Sequence, residues 1–214
     1  MKLKGVITGD IISSTTIKPE WRQSLLDSME RLVVEFNQFC PVKIEFFRGD
    51  SFQLLVDNPL EGLRIAVLLR AGLKKQTPSD SNQQWDARMA LGIGSIDYSS
   101  EQVVISDGEA FHFSGWAFDK LGKRKLAVRT PWKVVNEELV LSTSFADDII
   151  SDWSNAQVQV AFLAFMQPNM PQKELAVVLN TSAQNISKLL SNGKASLISL
   201  YLDRYVKLID MHLD

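Results

Sequence analysis

Two aspartates, each at the end of an apolar run that predicts a β-strand, are the residues best placed to do chemistry. Asp10 ends the run 3–10, LKGVITGD, and Asp50 lies in 43–57, KIEFFRGDSFQLLVD, which predicts two strands joined by a two-residue Gly49-Asp50 turn. Hard divalent cations take carboxylate ligands, and two close carboxylates repel unless a cation lies between them. Each acid alone is more typical of a turn or cap. Together they predict a shared Mg²⁺ or Mn²⁺ site.

The composition excludes several classes of protein. The chain has 214 residues, 45% apolar and 22% charged, with a net charge of -2, which is ordinary for a soluble globular protein and gives no general attraction to nucleic acid or anionic lipid. Cys40 is the single cysteine, so no intramolecular disulfide or cysteine-based zinc site can form. No apolar run approaches the roughly 20 residues of a membrane span, and we see no secretory signal. We expect a cytoplasmic protein.

Hydrophobic periodicity predicts the elements that hold the two acids. After the first strand, a hydroxyl-rich loop leads to a helix that begins at Pro19 and is stopped by Pro41. The hairpin, a helix over 60–75 and a strand over 87–96 follow. In that strand Gly92 and Gly94 share one face, which favours the close approach of either a helix or a ligand. Three further elements are predicted: a strand over 102–106, a helix over 109–121 and a strand over 126–135.

This order predicts an α+β fold of the ferredoxin-like type, with an antiparallel sheet covered by helices on one face. Strand character ends near 135–138. We therefore expect two domains, an α+β domain over 1–136 and a small all-α domain over 137–214.

The run 172–190 within the second domain resembles the helix-turn-helix of bacterial regulators, and the motif extends over about 171–191. The likeness rests on Ala176 at the helix crossing, a sharp turn at Asn180, Ser182 as N-cap and Ile186 as buried anchor. It implies that the second helix enters the major groove of DNA, with four residues nearest the bases: Gln184, Asn185, Ser187 and Lys188. Plain helical packing or dimerisation is the alternative. From 151 to 214 five basic residues balance five acidic ones, so binding to DNA would need a homodimer to double the contact surface.

Four short motifs in order, Thr8-Gly9-Asp10-Ile11, Arg48-Gly49-Asp50, RMALGIG at 88–94 and GEAF at 108–111, resemble the class III nucleotidyl cyclase fold. The sequence is still more similar to the SatD family, bacterial proteins that join such a domain to a C-terminal helix-turn-helix. The resemblance implies metal ligands at Asp10, Asp50 and the Ile11 carbonyl. It also implies a nucleoside triphosphate whose phosphates contact the loop residues Ser13, Ser14, Thr15 and Thr16.

The sequence departs from the cyclase pattern at positions that cyclases need for activity. The base-selecting lysine falls near Phe46, which would stack on a base or pack beneath it. The transition-state asparagine falls at His112, a candidate proton shuttle or a surface histidine, and the transition-state arginine falls at Trp116. Arg48 would pair with an acid or with phosphate. Losing a preorganised cation removes a few kcal/mol of transition-state stabilisation, which argues against cyclase activity.

Other residues have plainer interpretations. We expect Trp85 and Trp116 to be core or interface residues, the basic loop 123–125 to be solvated and Arg88 to be structural.

Three functions follow from these observations. The first is a DNA-binding transcriptional regulator whose degenerate cyclase-like domain binds a nucleotide and a divalent metal. The second is an active nucleotidyl cyclase or a related nucleotidyl-transferring enzyme. The third is an assembly module in which both domains serve only oligomerisation.

Overall fold

The computed structural model describes residues 3–47, 49–81, 83–96 and 108–213. The predictions for Arg48 and for a strand over 102–106 lie outside these residues. The described elements, in chain order, are β1 (Lys4–Ile11), α1 (Pro19–Phe36), β2 (Val42–Phe47), β3 (Ser51–Val56), α2 (Gly62–Gln76), β4 (Ala87–Gly94), α3 (Glu109–Asp119), β5 (Leu126–Arg129), α4 (Lys133–Ser151), α5 (Asn155–Met166), α6 (Gln172–Val178), α7 (Ala183–Asn192) and α8 (Ala195–Asp210).

The five strands form one mixed sheet in the order β2-β3-β1-β4-β5. The first four strands have the ferredoxin-like order and are antiparallel, with β1 between β3 and β4. β5 is parallel to β4, because α3 carries the chain back along the sheet before β5 begins. The prediction of a wholly antiparallel sheet is therefore wrong at this edge.

The β2–β3 hairpin is one residue longer than predicted. Phe47 is opposite Ser51, so three residues, 48–50, connect the strands instead of two. Gly49 has a φ of 80°, in the left-handed region that glycine adopts without strain, which suits a three-residue hairpin connection.

Helices cover both faces of the sheet, which corrects the prediction that they cover one. Alternate residues such as Ile7 and Leu54 point into a large core with α1 and α2, whereas Val6 and Leu55 pack with Ala110 of α3 on the opposite face. The bare strip at Gly92 and Gly94 admits α3: a Cβ on Gly94 would lie 2.7 Å from the backbone nitrogen of Ala110. Of the two interpretations left open for these glycines, helix packing is confirmed.

The predicted strand over 126–135 ends at Arg129, and α4 starts at Lys133. Pro131 breaks the strand pairing and α4 follows it directly, so the apolar residues of 134–135 belong to a helix. The domain boundary proposed between 136 and 137 falls in the first turn of α4 and stays a prediction.

The core is continuous from β1 to α8. Buried charges also join the sheet half to the helices that follow it. Arg70 of α2 is fully buried, forms two hydrogen bonds to Asp86 and donates to Asp147 of α4 at 2.6 Å. Lys125 donates its backbone N–H to Asp147 and its ammonium lies 3.4 Å from Asp86, so this part of the basic loop is not merely solvated. None of the helices in the described ranges is long and apolar enough to cross a membrane.

Candidate functional site

Asp10 and Asp50 lie at the same edge of the sheet. Asp10 is opposite Ser51 of β3 on one side and Arg88 of β4 on the other. The backbone N–H of Ile11 donates to the carbonyl of Asp50 at 3.0 Å, which holds the end of β1 against the hairpin turn. The convergence of the two chain segments thus follows from strand register.

Arg88 neutralises Asp10. Its Nε donates to Oδ1 at 2.8 Å and its Nη2 donates to Oδ2 at 2.7 Å, and the guanidinium also lies over the ring of Phe118. The hydrogen bonds to Asp10 raise the pKa of Arg88, and the negative charges of Asp10 and Asp50 add to that effect. Arg88 therefore binds one carboxylate and is also favoured in its charged form by the second. Its role, predicted to be structural, is an electrostatic one at the site.

Asp50 is engaged by the loop that follows β1. Ser14 Oγ donates to Asp50 Oδ2 at 2.5 Å. Ser13 adopts a left-handed φ of 54°, and its carbonyl accepts hydrogen bonds from the hydroxyl of Thr16 and from Nε2 of Gln83. The loop thus has a defined shape, held partly by a residue 70 positions further along the chain.

A cleft of about 240 Å³ opens beside Asp50, between this loop, the hairpin turn and the first turns of α1. Its lining combines hydroxyls, an acid and a base with an apolar floor, from Ile11, Ser14, Thr15, Ile17, Arg22, Leu25, Leu26, Gly49 and Asp50. Hydroxyls and a guanidinium bind phosphate oxygens, and a carboxylate holds a divalent cation that phosphate also binds.

The structure does not bring all the predicted site residues to this cleft. Ser14 and Thr15 line it, whereas Ser13 is exposed outside it and Phe46 packs against the core. The Ile11 side chain is buried, so only its main-chain atoms could reach a ligand. His112 is exposed near the start of α3, two residues after Ala110, whose backbone packs against Gly92 and Gly94. These glycines are four and six residues along β4 from Arg88, roughly 13 and 20 Å at about 3.3 Å per residue.

The donors fit a divalent cation that also takes phosphate oxygens and water. Mg²⁺ commonly uses one or two protein carboxylates and completes its shell with phosphate and water. Arg88 competes with a cation for Asp10, since it donates a hydrogen bond to each oxygen of that carboxylate and is itself positively charged. In the part of the chain that the structure describes, no three His, Cys, Asp or Glu residues are grouped as metal ligands, so the protein alone supplies an incomplete shell.

A second polar surface lies on α7. Between α6 and α7, Asn180 has a left-handed φ of 48°, and Ser182 caps α7 by accepting from the N–H of Asn185 at 3.1 Å. Ala176 and Ile186 are buried together in a small core. The four residues predicted to face DNA are all exposed: Gln184, Asn185, Ser187 and Lys188.

Trp116 does not lie in the core, which was one of the two positions predicted for it. It is 46% exposed on α3, and the cations of Lys120 and Arg129 lie 3.7 and 4.6 Å from its ring centroid. Trp85, in contrast, is buried as expected.

Two arginines of the site were missed from sequence. Arg22 precedes Leu25 and Leu26 by three and four residues, a helical spacing that places it near the inward face of α1, and this signal was available. The pairing of Arg88 with Asp10 depends on the register of β1 and β4, which no local pattern gives.

Solved structures that resemble part of this chain include two cyclases. The active GGEEF domain of a diguanylate cyclase from Vibrio cholerae is 12% identical, with 59% of this chain and 83% of that one covered and a TM-score of 0.40. A bacterial light-regulated adenylyl cyclase is also 12% identical, with 59% and 75% covered and a TM-score of 0.39. No protein-family model and no curated protein matches the sequence. Similarity of this size assigns neither a family nor an activity.

Proposed function

We propose that the sheet half of this chain binds a nucleoside triphosphate or related nucleotide, with a divalent cation, at the Asp10–Asp50 edge. The observation that carries the proposal is that two carboxylates lie at one edge of the sheet, Asp10 paired with Arg88 and Asp50 lining a cleft with Ser14 and Thr15. The two carboxylates carry one more negative charge than Arg88 balances, which favours a cation at this edge. The cleft also offers hydrogen-bond donors to the phosphates that this cation would hold.

Each residue has a defined part in this proposal. Asp10 and Asp50 hold the cation once Arg88 has turned away from Asp10, and Ser14 and Thr15 donate hydroxyl hydrogens to phosphate oxygens. Arg22, at the cleft wall, pairs with a further phosphate oxygen. A bound Mg²⁺ would neutralise phosphate charge at this edge.

Binding without turnover fits the residues better than cyclase chemistry. The places of the transition-state asparagine and arginine in the cyclase pattern hold His112 and Trp116, and α3, which carries both, packs on β4 at Gly92 and Gly94, four and six residues from Arg88. The active nucleotidyl cyclase is therefore the second candidate, favoured only by the paired acids.

We also propose that α7 binds the major groove of DNA, so that the chain is a nucleotide-responsive transcriptional regulator of the kind its SatD-like sequence implies. What supports this is the exposed polar face of α7 beyond a tight turn at Asn180. The helical half, 137–214, carries nine acidic and five basic residues, so binding would be weak and strongly salt-dependent for a single copy.

Calorimetric titration of the full chain with ATP and GTP, with and without Mg²⁺, tests the nucleotide proposal. We expect heat of binding that depends on Mg²⁺ and an affinity at least tenfold lower for Asp50→Asn. The matched control is Asp203→Asn, which removes an exposed acid of α8 far from the cleft. Absence of heat and of any thermal shift for wild type would remove the proposal.

Product analysis with the same nucleotides and Mg²⁺ or Mn²⁺ separates binding from catalysis. We expect no cyclic product. Turnover that Asp10→Asn abolishes would show that the protein is a cyclase that uses this site. Turnover that Asp10→Asn leaves unchanged would show that the reaction takes place at another site.

Gel-shift assays against genomic fragments at several salt concentrations test the DNA half. We expect Lys188→Ala to weaken binding. We also expect it to reduce the slope of log affinity against log salt concentration by about one, which corresponds to the loss of one phosphate contact. Lys207→Ala, an exposed lysine of α8, is the control. An equal effect of both variants would exclude α7 as the reading helix.

A further inference from the structure

A continuous apolar surface runs along two neighbouring helices, and we call it the α4–α8 face. α4 and α8 are antiparallel, since Arg204 pairs with Glu138 at one end and Thr143 shares a hydrogen bond with Tyr201 further along. Four large apolar side chains lie outward beside this seam, namely Leu141 and Phe145 of α4 and Leu197 and Leu200 of α8, and they are 63, 65, 50 and 63% exposed.

The fold itself does not need these four side chains. α4 and α8 bury a different set of residues, which includes Leu139, Ile150, Ile198 and Tyr205, in the main core. A contiguous apolar patch on the surface marks an interaction site, because removing large apolar side chains from water is favourable. A groove of about 430 Å³ indents the face beside Phe145 and Leu197, which gives a partner's side chain a place to enter.

Acids of α4 face bases of α8 across the seam between the two helices. Glu138 forms a salt bridge with Arg204 at one end, and Asp148 and Lys194 line the same groove towards the other end. In both pairs the acid lies on α4 and the base lies on α8 or at its N-cap.

We infer that the α4–α8 face binds a second copy of this chain, about a two-fold axis that runs parallel to the two helices. This axis places α4 of one copy against α8 of the other. Leu141 then meets Leu200, Phe145 meets Leu197, and both acids of α4 meet bases of α8. A two-fold axis across the helices would instead oppose α4 to α4, acid against acid, and is disfavoured.

The size of the face limits the strength of the dimer. Helices of 16 and 19 residues are about 25 Å long, and two side by side are roughly 20 Å wide. The resulting footprint of about 500 Å² is smaller than the roughly 800 Å² that a stable interface buries on each partner, so we expect a dimer of low affinity.

Sedimentation of the full chain without nucleotide or DNA tests the inference, so that its failure is distinguishable from failure of the proposed function. We expect a dimer that Phe145→Asp weakens at least a hundredfold while the circular dichroism spectrum is unchanged. Val34→Asp is the matched control, because Val34 is equally exposed on α1 outside this face. A wild type that stays monomeric, or a dimer that Phe145→Asp leaves intact, overturns the inference.

Cysteine cross-linking tests the direction of the axis, since the native Cys40 is buried. A mixture of Leu141→Cys and Leu200→Cys chains should form a disulfide-linked heterodimer on oxidation. Leu141→Cys alone should cross-link much less. Efficient cross-linking of Leu141→Cys alone would show α4 against α4 and overturn the arrangement.

Discussion

At the scale of single residues, the main finding is that Arg88 occupies the place where a cation would act. It binds both oxygens of Asp10 and lies close enough to Asp50 to feel its charge. The pair is partly exposed, so water and salt screen it and its contribution is about 1 kcal/mol or less. An interaction of that strength can be displaced by a cation that arrives with a phosphate chain.

We predict that Arg88→Gln raises the affinity for Mn²⁺ about fivefold, because about 1 kcal/mol of competition is removed. Titration followed by electron paramagnetic resonance measures it. Lys4→Gln is the control, since Lys4 lies at the opposite end of β1 from Asp10 and pairs with Asp57. If both variants raise the affinity alike, the effect is one of net charge and not of the Asp10 pair.

The sequence could predict the two acids but not their partners. An acid after an apolar run is a local signal, and Asp10 and Asp50 carry it. Arg88 and Gln83 reach the site across about 70 to 80 residues of chain, through strand register and loop shape that local patterns do not fix. The charge state of the site, which decides its chemistry, was therefore beyond sequence reasoning.

At the scale of elements, the close packing of α3 on β4 positions Trp116 and His112. A Cβ on Gly92 would overlap the carbonyl of Ala110 and the backbone nitrogen of Ser114. Backbone atoms cannot move aside as a flexible side chain can, so the two elements would have to separate.

We predict that Gly92→Ala lowers the free energy of unfolding by at least about 2 kcal/mol, as overpacking does. Gly115→Ala is the matched control: a Cβ there meets nothing within 4 Å, and alanine in a helix is favoured over glycine by about 1 kcal/mol. Urea denaturation of both variants measures the difference. Equal stability of the two would show that α3 does not pack on β4 so closely.

The sequence predicted the helix of α3 and the bare strip that receives it, but not the face of the sheet on which they meet. The residues of β1 and β4 are apolar on both faces of the sheet, so the sequence pattern does not distinguish one face from the other. The prediction missed the start of α4 because it treats Pro131 as a break within a strand, whereas Pro131 ends the strand and Val134 and Val135 after it belong to a helix.

At the scale of the whole molecule, a buried ionic network connects α2, the segment before β4 and α4. Lys74 belongs to it and donates to the carbonyls of Ile150 and Ser151 at the end of α4. The pKa of Lys74 is lowered from 10.5 to about 8, mainly by burial; Asp86 opposes this shift, and the charges of Arg70 and Lys125 add to it.

We predict that wild type gains stability relative to Lys74→Met as the pH rises from about 8 to 10.5. In this range the unfolded chain keeps the Lys74 proton while the folded chain loses it, so the free energy of unfolding rises with pH. Denaturation of both proteins across this range measures the difference, and effects of the buried tyrosines cancel because both proteins contain them. A difference that does not vary with pH would contradict the prediction.

Asp86 links the loop after β1 to α4. Its backbone carbonyl accepts from the N–H of Ile12 in the loop after β1, and its carboxylate accepts from Arg70, which also binds Asp147 of α4. A ligand that displaced the loop would therefore shift a residue that helps to fix α4. Any such linkage must be reciprocal: by whatever factor the ligand changed self-association through α4, self-association would change the ligand's affinity by the same factor.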